Sequence, residues 1–208
     1  MNAIETKPRV ENIVASTQFA KELDLDTVAE KLIGSEYDPE RFPGLIYRIS
    51  DPKTAILLFR SGKANCTGGK SLEEVRRAIR KVAELLSKSG IPVNPDPEFT
   101  VQNMVAVYDV GCALNLTNLT ISLGLEDIEY EPEQFPGLVY RVRDPNVVCL
   151  LFGSGKMVIT GAKNEKDIER AVDRVVQTIR QSGLLSLCNG IHTVGGSLKQ
   201  QKAPCKVS

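Results

Sequence analysis

The chain has 208 residues, 42% apolar and 25% charged, an ordinary globular composition with room for one large domain or two fused halves. Its 26 Lys and Arg offset 26 Asp and Glu, which excludes a uniformly basic nucleic-acid coat and leaves only a locally basic face open. No apolar run approaches the roughly 18 residues that span a bilayer, the opening MNAIETKPRV has no signal-peptide apolar core, and five cysteines without CxxC spacing (Cys66, Cys112, Cys149, Cys188, Cys205) read as reduced thiols of a cytoplasmic protein.

The first predicted element is a strand over residues 10–16. Its alternation sets Val10, Asn12 and Val14 on one face and Glu11, Ile13 and Ala15 on the other. A short helix follows at 26–32. Three or four strands come next, covering GLIYRI, AILLF and ANCTG, with turns at Asp51-Pro52 and Ser61-Gly62. A long helix then opens at Ser71, whose side chain with Glu74 makes a capping box. Leu72, Val75, Ile79, Val82 and Leu86 form its apolar stripe, and Gly90 ends it. The proline-rich IPVNPDPEF connects to a second series in the same order. That series has a strand over 101–107, a helix at 116–123, and the strands GLVYRV, VVCLLF and MVITG with turns at Asp144-Pro145 and Ser154-Gly155. It closes with a helix entered at Asn164 and Asp167, striped by Ile168, Ala171, Val172, Val175 and Ile179, and ended by Gly183.

The order recurs because the sequence recurs. Residues 36–70 and 129–163 align at a constant offset of 93 with 21 of 35 positions identical. The predicted units are a first repeat over 1–92, a second over 93–183, and an unmatched tail, 184–208. Strands then helix, twice, is an α+β arrangement. The expected fold is a pseudo-two-fold saddle, one curved antiparallel sheet of about ten strands with four helices on its convex face.

Period-two reading assigns Ile56, Leu58, Cys66, Cys149, Leu151 and Ile159 to the helix side. The opposite face then carries Val14, Leu57, Phe59, Thr67, Val105, Leu150, Phe152, Val158 and Thr160. An apolar sheet face without a helix is one that a ligand or partner covers. Arg48, Lys63 and Lys70 recur at its edge as Arg141, Lys156 and Lys163. An apolar floor with a cationic rim suits a duplex groove, and a two-fold protein suits a two-fold ligand.

The doubled FPGLxYR, LLFxSGK and TGxK segments, opened by NIVAS and QNMVA, resemble the TATA-box-binding proteins, general transcription factors, over about residues 8–182. FPGLIYR in the first copy is closer to the archaeal type. The resemblance implies double-stranded promoter DNA (the TATA box) as ligand. Transcription factor B is the implied partner, with RNA polymerase reached indirectly, and no cofactor or metal is implied.

The resemblance also implies roles. Phe42 with Phe59, and Phe135 with Phe152, match the pairs that wedge between base steps. Asn12 and Asn103 match the central base-bonding asparagines, with Thr67 and Thr160 beside them. Val14, Leu57, Val105, Leu150 and Val158 match apolar base-edge contacts. Arg41, Arg48, Lys63, Lys70, Arg141, Lys156 and Lys163 match phosphate contacts, and Glu131, Glu133 and Gln134 match the contact with factor B. The chemistry is coherent: A·T pairs offer the minor groove only acceptors, to which amide and hydroxyl groups donate, and inserted rings replace part of the stacking they break.

The first copy departs from that pattern. It reads GKANCTGGK where the family has GKMVCTGAK. Asn65 stands in place of a base-edge valine, Ala64 replaces a core methionine and Gly69 an alanine. Asn65 is expected to alter preference in one half-site by accepting from guanine N2, which would suit a specialised paralogue. The rival reading is an interaction module with weakened DNA specificity that acts through protein partners. No enzyme is expected. The only histidine, His192, lies in the tail near Cys188 and Cys205 without a fourth metal ligand, and no phosphate-cradling GxxxxGK[ST] occurs. When free, the uncovered face is expected to allow a weak homodimer.

Overall fold

The computed structural model describes residues 7–123 and 125–181. The first repeat contains β1 (Arg9–Gln18), α1 (Leu25–Lys31), β2 (Ser35–Glu36), β3 (Leu45–Ile49), β4 (Thr54–Leu58), β5 (Lys63–Gly69) and α2 (Leu72–Lys88). The second contains β6 (Phe99–Asp109), α3 (Leu116–Leu123), a 3₁₀ turn (Leu125–Asp127), β7 (Ile128–Glu129), β8 (Leu138–Val142), β9 (Val147–Leu151), β10 (Lys156–Ala162) and α4 (Glu165–Gln181). The ten strands form one antiparallel sheet in the order β2-β3-β4-β5-β1-β6-β10-β9-β8-β7. The expected α+β fold of about ten strands and four helices is thus observed.

The two repeats join at β1 and β6. There Asn12 lies opposite Val105 and Val14 opposite Asn103, the reciprocal exchange that a two-fold axis demands. Each central strand carries a bulge: Glu11 is skipped between the Val10 and Asn12 pairings, and Gln102 between Asn103 and Val101.

The helix side of the sheet is the core. Ile13, Ile56, Leu58, Cys66, Cys149, Leu151 and Ile159 are all fully enclosed. Each enclosed large aliphatic side chain stabilises the fold by about 1.5–3 kcal/mol. Helices α2 and α4 cover it because their stripes repeat at helical spacing: Val75, Ile79, Val82 and Leu86 on one, Ile168, Val172, Val175 and Ile179 on the other. Leu72 is the exception. It is 43% exposed, at the first helical position after the Ser71 cap. Ser71 Oγ accepts from the Glu74 amide at 3.1 Å, and the Glu74 carboxylate accepts from the Lys70 amide at 2.8 Å, closing the capping box one residue earlier than its usual form. Asn164 Oδ1 accepts from the Asp167 amide at 2.9 Å at the start of α4. Gly90 ends α2 with φ +77°, a left-handed conformation that favours glycine.

A second symmetric device ties the helices to the sheet. Arg77 pairs with Asp51 at 3.2 Å, and Arg170 with Asp144 at 2.7 Å. Lys81 and Arg174 donate to the backbone carbonyls of the same two aspartates, each at 3.0 Å. The Asp-Pro turns of β3–β4 and β8–β9 are thereby pinned under α2 and α4.

The sequence reading needs adjustment at the margins. Strands β1 and β6 are longer than expected, and α1 starts at Leu25 because Asp24 caps it. The two-residue edge strands β2 and β7 carry no alternation to read. Cys66 and Cys149 are free and enclosed, as expected, but Cys112 is disulfide-bonded. It lies half-buried just after β6, where the sequence offers no sign that its thiol differs from the other four. Gly183, His192, Cys188, Cys205 and the tail lie outside the described residues.

Candidate nucleic-acid interface

The face opposite the helices is half-exposed and lined as the alternation predicts. Asn12 and Val14 come from β1, Leu57 from β4, Asn65 and Thr67 from β5. Asn103 and Val105 come from β6, Leu150 from β9, Val158 and Thr160 from β10. No helix covers them, and none is buried.

The two central asparagines are oriented by backbone. Asn12 Oδ1 accepts from the Gly68 amide at 2.8 Å, and Asn103 Oδ1 from the Gly161 amide at 2.7 Å. An amide N–H can only meet the oxygen end of a carboxamide, so the arrangement settles which way each side chain is turned. The other end of each carboxamide is therefore its NH₂ group, and that of Asn103 donates one hydrogen to Thr160 Oγ1 at 3.3 Å. In the first repeat the contact runs the other way: Thr67 Oγ1 donates to Asn12 Oδ1 at 3.3 Å. The result is a pair of NH₂ donors, one from each repeat, on a floor that is apolar apart from Ser16, Asn65, Thr67 and Thr160.

At each end of the floor two phenylalanines pack edge to face. The centroids of Phe42 and Phe59 are 6.0 Å apart at 65°, and those of Phe135 and Phe152 are 5.9 Å apart at 69°. Backbone bonds hold both members of each pair. Phe42 N donates to Asp38 O, and Phe135 N to Glu131 O, at 2.9 Å; Phe59 N and Phe152 N donate to Lys63 O and Lys156 O, also at 2.9 Å. The glycine of each FPGL segment makes the pairing sterically feasible. A Cβ on Gly44 would lie 2.7 Å from Phe42 Cε1 and 2.9 Å from Phe59 Cε1; on Gly137 it would lie 2.7 Å from Phe135 Cε1 and 3.0 Å from Phe152 Cε1. Phe135 remains 38% exposed, although a free aromatic pair of this size would ordinarily bury itself.

The rim cations Arg41, Arg48, Lys63, Lys70, Arg141, Lys156 and Lys163 are all exposed. They are not equivalent. Arg48 pairs with Glu36 at 3.4 Å and Arg141 with Glu129 at 3.0 Å, matching positions in the two repeats. Lys70 is held at 2.6 Å by Glu11, the bulge residue of β1. That bond, with Arg9 beside it, keeps the Glu11 carboxyl below its ordinary range. The matching residue of the other bulge is Gln102, which has no charge to offer Lys163. Its Nε2 donates instead to Ser16 Oγ at 2.7 Å.

Glu131, Glu133 and Gln134 lie exposed in the turn that leads into Phe135, where Gln134 N donates to Glu131 O at 2.9 Å. Their counterparts in the first repeat are Asp38, Glu40 and Arg41, so only the second turn is free of positive charge.

Sequence reasoning passed over Gly44, Gly137, Glu11, Ser16 and Gln102. The two glycines were legible in the repeated FPGL. The bulge residues were not, because nothing in an alternating strand marks where the count slips.

Comparison with known proteins gives a consistent picture. The family model "Transcription factor TFIID (or TATA-binding protein, TBP)" matches residues 7–89 and again 98–182. A TATA-box-binding protein of Thermoplasma volcanium is 59% identical over 86% of this chain and 97% of its own length. One of Haloarcula marismortui is 56% identical over 85% and 95%. One of Archaeoglobus fulgidus is 52% identical over 86% and 98%. Among solved structures, Methanococcus jannaschii TBP superposes with a TM-score of 0.78 at 52% identity, covering 84% of this chain and 99% of that one.

Proposed function

We infer, since this chain belongs to the TATA-binding protein family, that it is a general transcription factor that binds TATA-box promoter DNA through the minor groove and bends it. The observation that carries this reading is the wiring of Asn12 and Asn103. Their oxygens accept from backbone amides, which leaves NH₂ hydrogens as the groups these two side chains offer a ligand. The minor groove of A·T pairs presents only acceptors, adenine N3 and thymine O2. At the centre, a guanine N2 amino group would meet those two donors and the apolar side chains of Val14 and Val105, with no acceptor from either carboxamide to receive it. Selectivity for A·T over G·C follows from that mismatch.

Bending follows from the two ends. Phe42 with Phe59, and Phe135 with Phe152, are wedges that enter base steps and stack against the bases they separate. Unstacking costs a few kcal/mol per step, offset by the wider groove that then meets the whole floor. Arg41, Arg48, Lys63, Lys70, Arg141, Lys156 and Lys163 receive the phosphates on either side and fix register without reading sequence. Glu131, Glu133 and Gln134, on the exposed second turn, are the contact for transcription factor B, through which RNA polymerase is recruited. The face that receives DNA is also where two free copies would meet, as a weak homodimer that DNA displaces. Nothing in the geometry favours a module that acts through protein partners alone.

The test is binding to a short TATA duplex carrying end labels for bend-sensitive energy transfer, with a G·C-rich duplex as control, with and without factor B. A·T-selective binding with a bend is expected from the protein alone, and a ternary complex when factor B is added. Equal affinity for the two duplexes, or binding without a change in transfer, would overturn the reading.

A further inference from the structure

The open face carries a third asparagine, and it is wired differently from the other two. Asn65 sits on β5 between Leu57 of β4 and Ser16 of β1. Its carboxamide has no hydrogen-bond partner among the described residues, so both its oxygen and its NH₂ remain available. Next to it, Ser16 Oγ receives one bond from Gln102 Nε2 at 2.7 Å and keeps its own hydroxyl proton and a further lone pair. The matching place in the second repeat holds Val158, flanked by Leu150 and by Val107. Two polar side chains directly opposite one another in one half thus face two valines in the other. Among the described residues this is the site on the floor where the halves differ in polarity at cross-strand neighbours.

We propose that Asn65, with Ser16, makes the first-repeat half of the interface tolerant of one G·C pair, while Val158 and Val107 keep the second-repeat half restricted to A·T. The proposal rests on the minor-groove reading above. A guanine N2 amino group under Asn65 finds an acceptor in the free Oδ1, with Ser16 Oγ as a second one. Facing A·T, the same carboxamide turns and donates. Under Val158 the amino group loses its water and gains no partner, the costly case for a buried donor. A promoter element with a single off-centre G·C pair would then be bound in one orientation, with the first repeat over the G·C pair, which gives the pseudo-symmetric saddle a direction.

The experiment uses a self-complementary alternating A·T duplex and measures each variant against its own affinity for that duplex at fixed salt. Every symmetry-related pair of positions is substituted by G·C first on one side and then on both. Because the protein is free to reverse on a symmetric box, one substitution under Asn65 is expected to cost less than about threefold. The double substitution places the second G·C under Val158 and is expected to cost at least about tenfold, the usual penalty of a mismatched pair. Asn65→Val should raise the single-substitution cost to about tenfold, Ser16→Val should raise it in part, and Val158→Asn should relieve the double substitution. The valine variants install what the second repeat already carries, and Val158→Asn tests the idea by gain. The proposal is overturned if every single substitution costs about tenfold in the unaltered protein, or if Asn65→Val leaves the costs unchanged. Failure to prefer the A·T duplex over a G·C-rich one would instead overturn the minor-groove reading itself.

Discussion

Replacing Glu11 by Gln tests whether the rim acts through phosphates, and the structure sets the size of the effect. Among the described residues Arg41, Lys63, Lys156 and Lys163 have no acidic partner, Arg48 and Arg141 have exposed ones, and Lys70 is clamped by Glu11 at 2.6 Å. Each phosphate neutralised contributes about −0.9 to the slope of log K against log salt. Four free cations give a slope of about −3.6. Exposed ion pairs are worth at most about 1 kcal/mol and yield readily to a phosphate, and with both arginines the slope reaches about −5.4. Glu11→Gln copies the residue that the second repeat carries at its bulge and releases Lys70. The slope should then steepen by about 0.9, so that going from 50 to 200 mM salt costs the variant about 3.5-fold more affinity than the parent. The assay is fluorescence anisotropy with a labelled TATA duplex across a salt series. Lys70→Ala in the Glu11→Gln background should remove the increment, which separates Lys70 from the neighbouring Arg9. The depressed Glu11 carboxyl sets the pH range. A group whose folded pKa is lowered gives stabilisation that is complete above its unfolded value, near 4.5, and is lost as pH falls through the folded one. The clamp is therefore closed throughout neutral pH, and the comparison belongs there. Parallel salt lines for parent and Glu11→Gln would refute the idea that Glu11 withholds Lys70 from a phosphate, and an unchanged slope on Lys70→Ala in that background would refute the assignment of Lys70 to one.

Gly137→Ala pushes a methyl group against both Phe135 and Phe152; bend-dependent energy transfer should fall and TATA affinity drop about tenfold, with thermal unfolding nearly unchanged because the rings are free to swing outward. Asn103→Asp keeps an acceptor for the Gly161 amide but turns the outward donor into a second acceptor. Affinity for an all-A·T duplex should fall by about 1–3 kcal/mol, read by the same anisotropy titration. Burial pushes the Cys66 and Cys149 thiols up to about 12, so neither should react with iodoacetamide at neutral pH until the protein is unfolded, as mass spectrometry of labelled peptides would record. Ser71→Ala removes the α2 cap and should cost about 1 kcal/mol in urea unfolding.

Much of this molecule was legible because it is written twice. Periodicity alone separated Ile56, Leu58 and Cys66 from Leu57, Asn65 and Thr67, since a strand sends alternate side chains to opposite faces. The repeated FPGL and its phenylalanines could be paired at equal spacing before any geometry was known. Leu72 breaks the stripe because helical spacing says which face a residue is on but not how deeply the first turn is buried. The cross-links Arg77–Asp51 and Arg170–Asp144 were hidden because they join segments 26 residues apart whose closeness depends on the packing of helix on turn.

The three asparagines show why composition of a face is not yet a specificity. In the sequence Asn12, Asn65 and Asn103 are one residue type on one surface. Thr67–Gly68 of β5 and Thr160–Gly161 of β10 are the stretches where those strands slip against β1 and β6, between the Ile13–Gly69 and Ala15–Cys66 pairings and between the Ile159–Ala106 and Ala162–Met104 pairings. Asn12 and Asn103 meet a glycine amide and lose their acceptor; Asn65, in the regular stretch of β5 opposite Leu57 and Ser16, keeps both functions. Two donors of fixed orientation discriminate against guanine, and one side chain of free orientation does not. The backbone slip therefore fixes the donors that both halves share, and the choice of Asn65 or Val158 beside them decides which half tolerates guanine.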